Sequence, residues 1–306
     1  MSVMHRCVAA WRRGLAGVAL VAAVATFAAF ATPVAAQERV SFPSLDGGAS
    51  PVVLTGLWFP AAAALADPAS LALAPAPLPA VALFHGCSGA FDRHGELGKR
   101  MREYAALFNK VGFGVLIVDS LGPRYEVELC TQRPGSRRVT QSNRRLDALG
   151  AIAYLAERPD VDPRRIGLVG WSNGGSTVLA ATNLRHRDVA AALVQPAFAV
   201  AFYPGCEADL KRGYEASAPL LMLVGQADDW TAAGPCRALA REAGGQTKPE
   251  IEGYAGAYHG FDSDQPVRLR KDVPGGVNPG QGVHVGGNAA AWRASQARLL
   301  KFIADH

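Results

Sequence analysis

The chain has 306 residues, 49% hydrophobic and 19% charged, which suits one large α/β domain or two small ones and excludes a disordered chain or a fibre. Its formal charge is +5, but Arg6, Arg12 and Arg13 stand in the first 36 positions, where there is no acid. The remainder carries 28 Lys and Arg against 26 Asp and Glu, or +2, too near zero to mark a partner surface for nucleic acid or an acidic membrane.

At the amino terminus His5, Arg6, Arg12 and Arg13 precede an uncharged Ala/Val/Leu/Phe run from Gly14 to Phe30, followed by Pro33, Val34, Ala35 and Ala36. A basic start, an apolar run and a small-x-small end read as a signal peptide over residues 1–36, cut after Ala36 to leave Gln37 first. The run is too short and alanine-rich for a retained membrane anchor, so residues 37–306 are expected to be exported to the periplasm or beyond. Cleavage removes Cys7 and leaves Cys87, Cys130, Cys206 and Cys236. Four cysteines in an exported chain read as two disulfides, with three connectivities open. Their spacing contains no Cys-x-x-Cys or His-x-x-x-His pair, so neither zinc nor another cofactor is expected.

From Val40 to Phe59 short apolar runs broken by Asp46, Gly47, Gly48 and Pro51 read as two antiparallel strands at a sheet edge. Ala61 to Pro79, rich in alanine and proline, reads as a loop outside the core. Ala80 to Phe84 and Phe113 to Val118 are buried-strand runs, and Glu103 to Val111 between them forms a helix, so the two strands pair in parallel. Val139 to Arg158 is the clearest helix, with Leu146, Leu149 and Ala153 on one face; Pro159 ends it. The cluster Arg133, Arg137, Arg138, Arg144 and Arg145 reads as a solvated loop and helix face.

Next comes RIGLVGWSNGGS, Arg165 to Ser176. An apolar run, Gly-x-Ser-x-Gly and a helix-forming stretch describe a strand, a sharp turn and a helix, with Ser172 at the turn as candidate nucleophile. Ala197 to Tyr203, Leu220 to Val224 and Glu250 to Tyr254 are further strands, with helices over Pro235 to Gly244 and Asn288 to Ile303. Strands alternating with helices without a linker or repeat predict one doubly wound, mostly parallel α/β domain.

A serine hydroxyl needs a base to accept its proton and a third group to hold that base. After the strand LLMLVG come Asp228 and Asp229, and after the last short strand comes AYHGFD with His259. Both positions follow strand carboxyl ends, where a parallel sheet places its active site. His85 and His94 precede the serine, and His186 lies in a charged stretch. His284, in a glycine-rich run, is the reserve to His259.

Together GWSNGG, GQADDW and AYHGF resemble the dienelactone hydrolase branch of the α/β-hydrolase superfamily over nearly all of residues 37–306. The resemblance implies an α/β-hydrolase fold, Asp228 as the acid, and an oxyanion hole made by the backbone N–H groups of Cys87 and Asn173. Asp229 is then a pocket or capping residue. It also implies a small ester or lactone substrate cleaved through an acyl-enzyme. The chain departs from dienelactone hydrolases proper in carrying Ser172 where they carry cysteine, and Gly86 where they carry glutamate beside the oxyanion loop. GWSNGG also resembles the elbow of polyester hydrolases and cutinases. The alternatives are such a polyester hydrolase, an acyltransferase, or a ligand-binding member without catalysis.

In the strand order usual for this fold, the strands ending at Phe84 and Val118 are neighbours, as are those ending at Tyr203 and Val224. That order pairs Cys87 with Cys130 and Cys206 with Cys236. Arg124, in LGPR after a strand end, reads either as a clamp for a substrate carboxylate or as a salt bridge fixing its loop. Trp171 and Trp230, beside the serine and the acid pair, read as pocket walls or as packing.

Overall fold

Burial sorts the strands of this protein into two faces, and that sorting builds the domain. A computed structural model describes residues 37–47, 50–61 and 76–306; the expected signal peptide over 1–36 and most of the Ala/Pro-rich segment lie outside the described residues. In chain order the elements begin with β1 (Glu38–Pro43), β2 (Val53–Phe59), β3 (Leu78–Phe84), α1 (Lys99–Lys110), β4 (Gly114–Asp119), α2 (Gln141–Ala156) and β5 (Val161–Trp171). They continue with α3 (Asn173–Ala181), α4 (Arg187–Ala190), β6 (Phe198–Phe202), α5 (Glu207–Arg212), β7 (Leu220–Gly225) and α6 (Ala233–Glu242). The last are β8 (Glu250–Tyr254), β9 (Arg268–Arg270), β10 (Val283–Val285) and α7 (Ala289–Asp305).

Eight strands form one sheet in the order β1-β2-β4-β3-β5-β6-β7-β8. The first two join antiparallel at the edge, and β4 through β8 pair in parallel with β3 among them. Successive side chains of a strand point to opposite faces, so β3 sends Ala80, Ala82 and Phe84 into one core with α2, α3 and α6. Val81 and Leu83 enter the other core with α1 and α7. Helices on both faces of a mostly parallel sheet make this the α/β-hydrolase fold, and strands buried on both sides explain why their sequences read as unbroken apolar runs.

The expected loop over Ala61 to Pro79 ends early, because Leu78 and Pro79 already belong to β3 and Leu78 donates its N–H to the carbonyl of Asp160. The arginine cluster needs a larger correction. Arg138 is exposed, but Arg144 has no accessible surface at all; it lines up with Ala148, Ala151 and Leu155 on the buried side of α2. No helix among the described residues is long and apolar enough to cross a membrane.

Candidate active site

Ser172 stands between β5 and α3 with φ 55° and ψ −117°, a left-handed conformation that a non-glycine residue adopts only when its surroundings hold it there. The surroundings are glycines. A Cβ at Gly170 would strike the carbonyl of Gly174, and one at Gly174 would strike the carbonyl of Phe84. Only backbone this bare lets α3 leave so sharply from the sheet, and the turn lifts the serine hydroxyl above the strand ends.

The hydroxyl meets a base there. His259 Nε2 lies 2.8 Å from Ser172 Oγ, and Nδ1 lies 2.8 Å from Asp228 Oδ2. The carboxylate is held in turn: the N–H groups of Trp230 and Thr231 each donate to Oδ1 at 2.8 Å, and the Thr231 hydroxyl donates to Oδ2 at 3.0 Å. Asp228 and His259 are both buried, and a carboxylate oxygen facing Nδ1 accepts its N–H, which leaves Nε2 to accept from the serine hydroxyl.

Opposite this line runs the loop after β3. Among the described residues the N–H groups of Cys87 and Asn173 donate to no protein acceptor. Cys87 is joined to Cys130 with their Cα atoms 5.0 Å apart, and its carbonyl accepts from Leu129 at 2.7 Å. His85, with 1% of its surface exposed, donates from Nδ1 to the Gly86 carbonyl at 2.7 Å and accepts the Ser120 N–H at Nε2. Burial, with the Arg144 charge beside it, pushes its pKa down to about 3, so the ring stays neutral and keeps this one arrangement.

A family model described as "Dienelactone hydrolase family" matches residues 62–306. The chain belongs to the dienelactone hydrolase family. It is 30% identical over 110 residues to YtaP of Bacillus subtilis, a protein named as a hydrolase, a match covering 32% of this chain and 37% of that one. The match therefore spans little more than a third of that relative. A dienelactone hydrolase structure from Klebsiella pneumoniae superposes with a TM-score of 0.60 at 15% identity, covering 89% of this chain and all of that one. Thermogutta terrifontis esterase 2, in a structure phosphorylated by paraoxon, superposes at 0.57 and 16% identity, covering 90% and 95%. At such identities the structures show a shared fold.

In this dienelactone hydrolase family member two clefts meet at Ser172, with Cys87 and Trp230 on the wall of each. One, of about 440 Å³, runs past Asn173, Ser176 and Gly205; the other, of about 370 Å³, runs past Tyr203, His259 and Gly260. A serine at such a junction can hold the two sides of a cleavable bond in separate spaces.

The remaining sequence candidates divide. Trp230 is a pocket wall, its ring 4.6 Å from that of His259. Trp171 does both: it lines the second cleft, and it is 1% exposed, stacks on Phe202 and donates Nε1 to Asp262 at 2.9 Å. Arg124 is not a substrate clamp, because its guanidinium grips both oxygens of Asp147 at 2.7 and 2.9 Å and Asp46 at 2.8 Å, and it lines neither cleft. Asp229 holds His284 instead of His259, accepting the His284 N–H at 2.8 Å and facing its Nδ1 at 2.7 Å. The reserve histidine thus has its own acid.

Three contributors escaped the sequence reading. Asp262, 2% exposed, accepts from Trp171, from the Tyr203 hydroxyl at 2.6 Å and from Arg100 Nε at 3.1 and 3.2 Å, tying the elbow strand to the His259 loop. It stood in plain view in AYHGFD. Thr231 buttresses Asp228 from two positions beyond the acid pair, and Arg144 lies beneath the loop that carries Cys87.

Proposed function

We propose that this protein is an exported serine hydrolase that cleaves carboxylic esters or lactones through an acyl-enzyme, with Ser172, His259 and Asp228 as its triad. The carrying observation is the unbroken line of two 2.8 Å contacts from Ser172 Oγ through His259 to Asp228. His259 Nε2 takes the serine proton as Oγ attacks the ester carbonyl carbon, and the carbonyl oxygen becomes an oxyanion facing the N–H groups of Cys87 and Asn173. The C–O bond to the alcohol breaks, and the alkoxide leaves with the proton from Nε2. A water then gives a proton to the same nitrogen as its oxygen attacks the acyl carbon; the bond from that carbon to Oγ breaks, Nε2 returns the proton to Oγ, and the carboxylic acid leaves. The Asp228 carboxylate orients His259 and stabilises the imidazolium in both halves.

Family membership supports the reaction class, and the neutral, shallow charge balance supports a small-molecule partner. The leader and the two disulfides support export; amino-terminal sequencing of the exported protein reads Gln37 if that is right and an intact leader if it is not. Short- and long-acyl p-nitrophenyl esters and a lactone, offered to residues 37–306, test the activity. Ser172→Ala and His259→Ala are each expected to abolish turnover and fluorophosphonate labelling while keeping the folded circular dichroism spectrum. Near-normal turnover in either variant would mean another nucleophile or base.

A further inference from the structure

A fully buried cation lies beneath the serine elbow, and its hydrogen bonds go to the two backbone segments that matter most there. Arg144, in the first turns of α2, has 0% of its surface exposed. Its Nη2 donates to the carbonyl of His85 at 2.8 Å, and its Nη1 donates to Oδ1 of Asn173 at 2.5 Å. His85 begins the loop that carries the Cys87 N–H. Asn173 carries the other. The two segments come from different elements, the end of β3 and the start of α3, and the guanidinium is braced across both without touching either N–H.

The carboxylates around Arg144 are engaged elsewhere. Asp147 accepts from Arg124 and from the Ser44 hydroxyl at 2.6 Å, and Asp119 Oδ1 accepts the N–H groups of Leu121 and Gly122 at 3.0 Å. No ion pair to Arg144 forms among the described residues, and its Nε has no partner there. Burying a guanidinium in this way is costly unless something is gained. Burial draws its pKa down to about 10, against the pull of Asp147 and Asp119, so it remains charged at neutral pH. Its fixed fork is suited to two acceptors held at a set angle, which a lysine cannot span. Gln141 adds a further tie from the same helix, donating to the Asn173 carbonyl at 3.0 Å.

We propose that Arg144 is a positioning residue of the oxyanion hole, bracing the His85–Cys87 loop and the Asn173 helix start so that their two N–H groups converge on one oxygen. The inference rests on Ser172 being the nucleophile. A hole loosened by about 1 Å loses roughly 10²-fold in rate, and outright removal of one donor loses roughly 10²–10³-fold. The ground-state ester is bound largely by the clefts, so the loss falls on kcat.

The test is steady-state hydrolysis of a p-nitrophenyl ester by Arg144→Met, Arg144→Lys, Asn173→Ala and the Arg144→Met/Asn173→Ala double variant, each checked for its melting temperature. Both Arg144 variants are expected to lose roughly 10- to 100-fold in kcat with KM within about twofold, and fluorophosphonate labelling of Ser172 is expected to slow in step. The double variant is expected to lose less than the product of the two single losses, because both remove the same brace. A kcat within about twofold of wild type, or a loss confined to KM, overturns the inference. If the Arg144 variants do not fold, Asn173→Ala decides alone: a kcat lowered with KM within about twofold supports the brace, and an unchanged kcat or a loss confined to KM overturns it. Ser172→Ala, measured alongside, separates the two readings. Its inactivity with active Arg144 variants removes only the brace, whereas turnover retained by Ser172→Ala removes the nucleophile and the hole with it.

Discussion

Two adjacent aspartates hold two different histidines, and that division of labour is the sharpest residue-scale feature of the site. Asp228 faces His259 Nδ1 and Asp229 faces His284 Nδ1. Replacing the first by asparagine leaves the shape but presents the wrong partner to Nδ1, and the histidine tautomer needed for base action is lost. Asp228→Asn is therefore expected to lower kcat on the order of 10³- to 10⁴-fold, and Asp229→Asn less than about 10-fold; the reverse ranking moves the acid by one residue. His85 supplies a second residue-scale prediction. Its folded pKa of about 3 lies below the unfolded value of about 6.5, so its contribution to stability is complete above pH 6.5 and is lost as pH falls toward 3, where the unfolded chain takes a proton the folded one refuses. The slope is about 1.4 kcal/mol per pH unit below 6.5. Urea unfolding between pH 7 and 5 is expected to show this slope in wild type and to show it reduced by that amount in His85→Gln; equal slopes in the two proteins would contradict it. The serine, the histidine and the acid pair were legible because each follows a strand end in a recognisable motif. Arg144 was not, because an arginine between polar neighbours looks solvated, although its spacing to Ala148, Ala151 and Leu155 carried the signal of a buried helical stripe.

At the scale of elements, two disulfides and one small hairpin hold the loops that β3, β6, β7 and β8 deliver to the site. Cys87–Cys130 and Cys206–Cys236 span 43 and 30 residues, loops whose closure stabilises by about 2 to 4 kcal/mol each. The first bond also restrains the loop that presents the Cys87 N–H, while the second ties the turn after β6 to α6. Cys130→Ser is thus expected to lower both the melting temperature and kcat, and Cys236→Ser to lower the melting temperature with kcat within about twofold. Equal effects on kcat would show that the first bond has no special hold on the Cys87 loop. The hairpin of β9 and β10 works on the other side of the serine: Val285 bridges to His259, and Gly286 donates to the His259 carbonyl at 3.0 Å. Asp229 anchors this hairpin by accepting the Val277 N–H at 2.9 Å besides holding His284. The long strands and helices could be read from the sequence because each repeats its pattern over several positions. The three-residue strands β9 and β10, set among glycines and charges, repeat nothing and owe their form to the residues they clasp.

For the molecule as a whole, the parallel sheet brings three distant strand ends to one place, and this alone assembles serine, acid and histidine from segments far apart in sequence. Alternating strands and helices made that architecture legible, down to the antiparallel pair at the edge. What the alternation could not convey was the lining of the two clefts, since loops and short helices such as α5 build it from residues with no periodic signature. In the proposed reaction Ser172 Oγ, activated by His259, is the atom that attacks substrate. That role is tested most directly by treating residues 37–306 with paraoxon, digesting the protein and locating the adduct by mass spectrometry while ester hydrolysis is followed. One diethylphosphoryl group on Ser172, rising in proportion to the activity lost, is the predicted result. An adduct on another residue that tracks the loss, or full hydrolysis by protein modified at Ser172, would contradict it.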